Sequence, residues 1–345
     1  PLARNVGDVR TVAPFTSLRA LSRRYLHDPR LRMLVDRYAT YTGSDPRKAP
    51  AALATVPYVE QTFGAYHVAG GIRRLADALY ERTLERGVSY RFSTDVAEVL
   101  TTSSGVTGVR LADGEVLDAD IVVANADATH LYRDLLHDPR GAEPLKRLRR
   151  TTPSLSGFVL LLAVKGRTPG LRHHNVWFTG DYDAEFDAIF GRDAKPVHDP
   201  TIYVCAPDDD AMRPDAEHES WFVLVNAPRH GTAGERGTVD WTAPGLSESY
   251  RDRVLQVMAD RGHDVRDRLL WSEMRTPADL EAGTRAPGGS IYGTSSNGAR
   301  AAFLRPANAS PVPGLYLVGG SSHPGGGLPL VGMSAEIVAD LIGRA

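Results

Sequence analysis

Between residues 319 and 332 the chain holds six glycines, two prolines and one histidine, a high density of residues with special backbone geometry. The apolar run from Leu315 to Val318 precedes them and predicts a strand, and a helical pattern follows them. Backbone N–H groups and the positive dipole end at a helix start attract electron-rich ligands. An ordinary strand-to-helix turn with surplus glycines is the alternative. The density of special residues favours a cofactor site, with a flavin as the expected occupant.

The helix after this loop has a recognisable start and end. Pro329 suits the first helical position, because the N–H that proline lacks would have no helical partner there. Gly343 can end the helix. The residues that recur at helical spacing between them are Val331, Ser334, Val338 and Leu341.

Residues 315–331 (LYLVGGSSHPGGGLPLV) resemble the C-terminal FAD motif of the CrtI-type carotenoid desaturases, the bacterial phytoene desaturase family. Residues 28–46, 199–228 and 288–306 contain further stretches that resemble the same family. The resemblance implies an α/β fold with mixed α+β features. It further implies a doubly wound FAD- or NAD(P)-binding domain of the amine-oxidase and phytoene-desaturase type, an inserted substrate domain and FAD as cofactor.

The resemblance also implies which residues contact FAD, with Val96 near the adenosine and the glycine loop near the flavin ring. The expected cofactor-binding residues are Val96, Gly319, Gly320, Ser321, Gly326, Gly327, Leu328 and Pro329. Related flavoproteins often carry Gly-Asp where this chain has Gly319-Gly320, so a hydrogen bond here must come from the backbone or Ser321. His323 is the candidate catalytic residue: it either orients the flavin or substrate, or only caps the loop through its backbone.

The family pattern opens with a strand, a G-x-G-x-x-G motif and a helix that hold the FAD pyrophosphate. That motif is absent from the sequence, so we expect a fragment that lacks the N-terminal βαβ unit and is inactive by itself. The expected domains are a helical substrate region, two parts of the FAD-binding domain and a substrate domain inserted between those parts. In chain order they are 1–60 (helical), 61–127 (FAD), 128–305 (substrate) and 306–345 (FAD).

Local patterns predict the other elements. The Asp113-Gly114 turn between alternating apolar runs indicates a hairpin within a meander over 95–124. Gly70-Gly71 precedes a predicted helix. An apolar stripe of Leu31, Leu34, Val35 and Tyr38 predicts another helix, and Val56-Pro57 is expected to break the pattern. Further strands are predicted at 158–164, 201–205 and 222–226, and a further helix at 247–261.

Composition narrows the class of protein. With 42% hydrophobic and 24% charged residues the chain is globular, and a net charge of −2 argues against nucleic-acid binding. No apolar run approaches the roughly 18 residues of a membrane-spanning helix. Cys205 is the single cysteine, which excludes a disulfide framework and favours a cytoplasmic setting. The oligomeric state is not determined by the sequence.

Two other clusters are weighed as sites. The acids at 208–210 point apart on any regular element, and His173-His174 has no further ligand at a useful spacing, so no metal site is predicted. The basic patch at 145–150 fits peripheral contact with an anionic membrane, which holds lipophilic substrates, although an exposed helix end is the more common explanation.

The function implied by the resemblance is FAD-dependent desaturation of a carotenoid such as phytoene, a lipophilic polyene, in carotenoid biosynthesis. Another carotenoid oxidation stays open, either 3,4-desaturation or oxidation of a terminal methyl group. An amine oxidase and a flavin-free lipid carrier of the same fold are the remaining alternatives. The glycine loop argues against the carrier, because a carrier has no need for close backbone approach to a ring.

Overall fold

The computed structural model describes residues 13, 15–298 and 305–343. Its helices, numbered in chain order, are α1 (Leu18–Tyr25), α2 (Pro29–Arg37), α3 (Thr55–Phe63), α4 (Arg73–Leu84), α5 (Ala128–His130), α6 (Ala142–Leu148), α7 (Tyr182–Phe190), α8 (Leu246–Asp260), α9 (Pro277–Thr284) and α10 (Leu328–Ile342). Its strands are β1 (Val96–Thr102), β2 (Gly105–Leu111), β3 (Val116–Asp118), β4 (Val122–Ala124), β5 (Ser156–Lys165), β6 (His174–Trp177), β7 (Ile202–Cys205), β8 (His218–Ala227), β9 (Leu269–Arg275) and β10 (Leu315–Leu317).

The strands form three sheets. β1, β2 and β3 make an antiparallel meander, in which the predicted hairpin is confirmed. β10 pairs with β4 in parallel, with Leu315 opposite Val122 and Leu317 opposite Ala124. The third sheet has five strands in the order β6-β7-β8-β5-β9. The run that ends at Ala124 therefore leaves the meander and joins the strand that precedes the glycine loop.

The chain divides into two compact units. The first contains 15–62, 93–156 and the described part of 280–343, and the second contains 63–92 and 157–279. In the first unit, apolar side chains of β1, β2, β10 and the helical segment at 128–136 form a buried core. A smaller buried group joins Leu18, Ala39 and Ala49.

In the second unit, one face of the five-stranded sheet packs with α8. Phe158 lies at its centre, with ring centroids 5.6 Å from Trp241 and 4.9 Å from Tyr250, and Met258 is fully buried beside them. Alternate residues of β7 are buried and half-buried, so Ile202 and Val204 join the core. The other face of β7 carries Tyr203 and Cys205, which are half-buried.

These units do not follow the predicted domain bounds. Residues 63–92 belong with 157–279 rather than with the meander. Asp209 explains part of this grouping, since its carboxylate accepts hydrogen bonds from the Gly70 N–H at 2.7 Å and from His67 at 2.9 Å. Asp209, one of the three acids for which no site was predicted, thus holds a segment distant in sequence. The assignment of the units to cofactor and substrate stays a prediction.

Two local expectations fail for physical reasons. Pro57 lies inside α3, not at a break, because it falls in the first turn, where its missing N–H breaks no helical hydrogen bond. Only half of the apolar stripe predicted along and just after α2 packs on the core. Val35 and Tyr38 do so, whereas Leu31 and Leu34 are exposed. Among the described residues, no helix has the length and apolar character needed to cross a membrane.

Candidate functional site

Loops that follow the parallel strands β4 and β10 meet at one edge of the first unit. The Val318 N–H donates to the Ala124 carbonyl, so both strands end side by side. Polar residues Asn125 and Asp127 follow β4, and the glycine loop follows β10. The carboxyl ends of parallel strands are where open α/β sheets bind their ligands. This edge is therefore the candidate site.

The glycines of the loop have different reasons to be glycines. A Cβ on Gly319 would lie 2.1 Å from Asn125 Oδ1, and one on Gly326 would lie 2.4 Å from the Tyr292 ring. A Cβ on Gly320 would lie 3.3 Å from the Gly326 Cα. These three positions are closed by the protein's own packing. Gly327 differs, because no heavy atom lies within 4 Å of its Cβ position, so that its φ of +98° is what requires glycine there.

The start of α10 lies open beside Gly327. Gly327 is the N-cap and supplies no side-chain hydrogen bond to the first turn. Pro329 is the second helical residue, one position later than predicted, and its missing N–H still has no helical partner there. Leu328 is 58% exposed. A helix start with uncapped N–H groups, reached through a glycine that leaves open space, fits the electron-rich edge of a flavin ring. The predicted helix end is also confirmed, since Gly343 is the C-cap with a φ of 86°.

A buried arginine holds the loop from behind. The Arg305 guanidinium donates to the carbonyls of Gly320 at 2.9 Å, Tyr292 at 2.9 Å and Thr294 at 3.1 Å. Burial lowers the pKa of Arg305, and its positive charge adds to that of the helix start. Both charges favour a negative ligand edge. Residues 301–304 of the family-like stretch that contains Arg305 lie outside the described residues.

Asp127 places a carboxyl group at this edge. It accepts the Thr129 N–H at 2.8 Å and so caps α5, while the Ala128 N–H donates to Ser321 Oγ at 3.0 Å. A Cβ on Gly293 would lie 3.5 Å from Asp127 Oδ2 and 2.7 Å from the Ser321 Cβ. Burial raises the pKa of Asp127, only partly offset by the hydrogen bonds of Thr129 and the backbone of His130 and by the charge of His130. Asp127 therefore retains its proton to a higher pH than an ordinary aspartate.

We expect Asp127→Asn to become more stabilising, relative to the parent, as the pH rises. The pKa of Asp127 is raised in the folded state from the ordinary value of 3.8, so its contribution to stability is present below that pH. The contribution is lost as the pH rises through the folded-state pKa. Asparagine keeps the helix cap and carries no charge. Urea unfolding of both proteins at pH 4 and pH 7.5 measures the difference, and a pH-independent difference contradicts the prediction.

His323 is held by its backbone, while its side chain is exposed. Its N–H donates to the Pro306 carbonyl at 2.9 Å, and its carbonyl accepts from Asn308 Nδ2 at 2.9 Å. Both bonds fit the structural alternative for this residue. A catalytic role of His323 stays a prediction.

Asn308 is the hub behind the loop. Its buried amide also donates to the Leu317 carbonyl and to Ser334 Oγ, both at 3.0 Å, so it joins strand, loop and helix. Ser334 in turn accepts the Gly319 N–H at 3.2 Å. Asn308 is not among the site residues predicted from the sequence. No local pattern marks it, because its partners come from elsewhere along the chain.

Val96 lies at the start of β1, paired with Leu111 and 37% exposed. A cavity of about 650 Å³ opens next to it and is lined by residues 93–95 and 111–113. The position suits a bound adenosine as the resemblance implies. Contact between Val96 and the cofactor stays a prediction.

Most of the residues around the glycine loop that build the candidate site were not predicted from the sequence. Asp127 and Asn125 carried the clearest signal, because polar residues directly after a parallel strand mark a ligand edge. Tyr292 and Arg305 lay within family-like stretches but had no assigned role. The structure brings them to the predicted loop residues through the contacts described above.

Comparison with known proteins gives consistent matches. A family model described as flavin containing amine oxidoreductase matches residues 13–220. The chain is 36% identical over 318 residues to a 1-hydroxycarotenoid 3,4-desaturase of Flavobacterium sp. (strain P99-3), covering 91% of this chain and 62% of that relative. It is 34% identical over 343 residues to a 4,4'-diapolycopene oxygenase of Methylomonas sp., covering 97% and 67%. The chain thus spans about two thirds of the length of these relatives.

A solved structure matches as well. An oxidoreductase from Methanosarcina mazei aligns with a TM-score of 0.59 and 16% identity over 94% of this chain and 67% of that one. At that identity the likeness concerns the fold alone. It confirms the fold class that the sequence predicted.

Proposed function

This chain belongs to the flavin-containing amine oxidoreductases, and on that premise we propose that the whole protein is a carotenoid desaturase. Its resemblance to the CrtI-type carotenoid desaturases is confirmed, and FAD is the cofactor. The proposed reaction removes a hydride and a proton from adjacent carbons of a long polyene, which creates a new double bond. The observation that carries the proposal is the open helix start at Gly327, which fits a flavin, together with the carotenoid-acting relatives.

FAD supplies the hydride acceptor when bound. The chain's own residues position the ring and set the charge around it. The N–H groups at the start of α10 and the guanidinium of Arg305 would stabilise negative charge on a flavin held at this loop. Asp127 is the carboxyl group available to hold a proton at this edge, and burial favours its protonated form.

The substrate we propose is an acyclic carotenoid. Phytoene is the substrate that the sequence resemblance first suggests. A hydroxylated acyclic carotenoid is a second candidate, favoured by the 3,4-desaturase among the relatives. Oxygenation of a terminal carbon is a third, favoured by the diapolycopene oxygenase.

We also propose that the protein works at the cytoplasmic surface of a membrane, because carotenoid substrates are dissolved in the membrane lipid. In the first unit, α6 buries Leu148 and leaves a basic end outside. Lys146 and Arg147 pair with Glu143 at 3.9 and 3.1 Å, while Arg149 and Arg150 are exposed. The exposed pair supports attraction to anionic lipid.

The test is turnover by the whole, FAD-loaded protein in anionic liposomes under air or with an added quinone. Phytoene, a 1-hydroxylated acyclic carotenoid and a primary amine are offered separately. We expect red-shifted absorbance from at least one carotenoid and no amine oxidation. Turnover of the amine alone would overturn carotenoid desaturation but would leave the assignment as a flavoenzyme intact.

Binding to the same anionic liposomes, measured by sedimentation, should fall with rising salt concentration. The fall should be steeper for the parent than for a double Arg149→Gln, Arg150→Gln variant.

A further inference from the structure

A cluster of metal-ligand side chains lies in the second unit, away from the glycine loop in sequence. β6 and β7 are antiparallel neighbours, and their register places His174 opposite Cys205. The Ala206 N–H donates to the His173 carbonyl at 2.9 Å. His174 and Cys205 therefore form a pair without mutual backbone hydrogen bonds, the type whose side chains approach each other more closely. Neighbouring strands thus supply two different donor types at one point.

His173 completes a set of three donors. One ligand atom from each of His173, His174 and Cys205 lies within 4.8 Å of the other two. The rings of His173 and His174 are 4.6 Å apart between centroids. His174 is exposed and the other two are half-buried, so an ion can reach the cluster from solvent. Spacing along the chain shows no further ligand for His173 and His174, because Cys205 lies on another strand.

Surrounding groups hold these donors in place. Tyr203 lies on the same face of β7 as Cys205, and its hydroxyl is 2.8 Å from His174 Nδ1. A ring held through Nδ1 presents Nε2 as a metal ligand, as second-sphere partners do in known sites. His173 Nδ1 accepts a long bond of 3.4 Å from the Asp208 N–H. That bond is weak enough to yield to a metal.

A third imidazole, that of His67, lies beside the three donors. The His67 ring lies 4.8 Å from the His173 ring, and its Nε2 is 2.9 Å from the Asp209 carboxylate. The carboxylate adds negative charge next to the cluster. Two imidazole nitrogens and one thiol sulfur are donors of the kinds that Zn²⁺ prefers.

We propose that His173, His174 and Cys205 form a binding site for a divalent ion of the Zn²⁺ type, with the fourth position open to solvent or to His67. In tetrahedral Zn²⁺ sites, bonds of about 2.0–2.3 Å place ligand atoms roughly 3.3–3.8 Å apart. The present separations reach 4.8 Å, so binding requires a closure of about 1 Å. Rotation of side chains on the edge strand β6 supplies it. Binding releases the thiol proton and forms a metal–thiolate bond.

Co²⁺ titration of the chelator-treated, FAD-loaded protein tests the site. A thiolate-to-cobalt absorption band in the near ultraviolet that disappears in the Cys205→Ser variant reports on this residue. We expect that band together with visible bands typical of tetrahedral cobalt. Competition with a chromophoric chelator then gives the Zn²⁺ affinity. Absence of the thiolate band overturns the proposal.

Variants separate the site from adventitious binding. Cys205→Ser and His174→Gln should each weaken Zn²⁺ binding by roughly 100-fold or more, and a circular dichroism spectrum checks that each is folded. His198→Gln is the matched control, because His198 is an exposed histidine elsewhere in the same unit. Zn²⁺ affinity unchanged in Cys205→Ser, or lowered equally in His198→Gln, would overturn the site. The titration does not depend on carotenoid turnover, so either proposal can fail alone.

Discussion

Replacing Gly327 by valine should cost the protein its flavin. The φ of +98° at Gly327 is a conformation that a β-branched residue adopts only under strain. The variant relieves that strain by moving the loop, and FAD binding must then restore the original geometry. A strain of about 1–3 kcal/mol corresponds to roughly 5- to 150-fold weaker binding. The new side chain also enters the space beside the helix start.

The measurement is the flavin released by acid precipitation per mole of the whole protein, together with a fluorescence titration of FAD. Gly262→Val is the matched control. Gly262 also has a positive φ, of +85°, with no heavy atom within 4 Å of its Cβ position, but it lies in the second unit after α8. The control should lose stability and keep its flavin. Equal loss of flavin from both variants would show that the loop has no special role.

Replacing Asn308 by leucine should cause the largest loss of stability. Its amide donates to Leu317, His323 and Ser334, and the residue is only 4% exposed. Leucine has the same branched shape and the same number of side-chain heavy atoms, but it leaves those buried acceptors without their donor. Each unsatisfied buried group costs about 1–3 kcal/mol, so we expect a loss of roughly 2–4 kcal/mol in the free energy of unfolding.

Urea unfolding, followed by far-ultraviolet circular dichroism, measures this loss. Ser334→Ala provides a graded comparison, because it removes one acceptor of Asn308 and the partner of the Gly319 N–H. We expect it to cost about 1–2 kcal/mol, less than Asn308→Leu. FAD retention should fall in the same order, since both residues fix the ends of the loop. An Asn308→Leu variant as stable as the parent would show that the hydrogen bonds of Asn308 do not stabilise the fold.

The sequence determined those features whose cause is local. The strand, the glycine loop and the helix from Leu328 to Ile342 follow from residue types at short spacing, as does the end at Gly343. The meander follows from a turn signal between alternating runs. The family could also be recognised from the sequence, because its motifs are short and contiguous. Local rules failed where packing decided burial, as for Leu31 and Leu34 on α2.

Only the tertiary structure decided which residues meet. The Ala128 N–H and the Arg305 guanidinium come from two different segments of the chain, and their hydrogen bonds to the glycine loop cannot be read from spacing. The structure also showed that Gly319 and Gly326 are closed by packing while Gly327 faces open space. In the same way, strand pairing brought Cys205 to His174. Local periodicity fixes the elements, whereas the contacts that make a site arise between elements and need the folded chain.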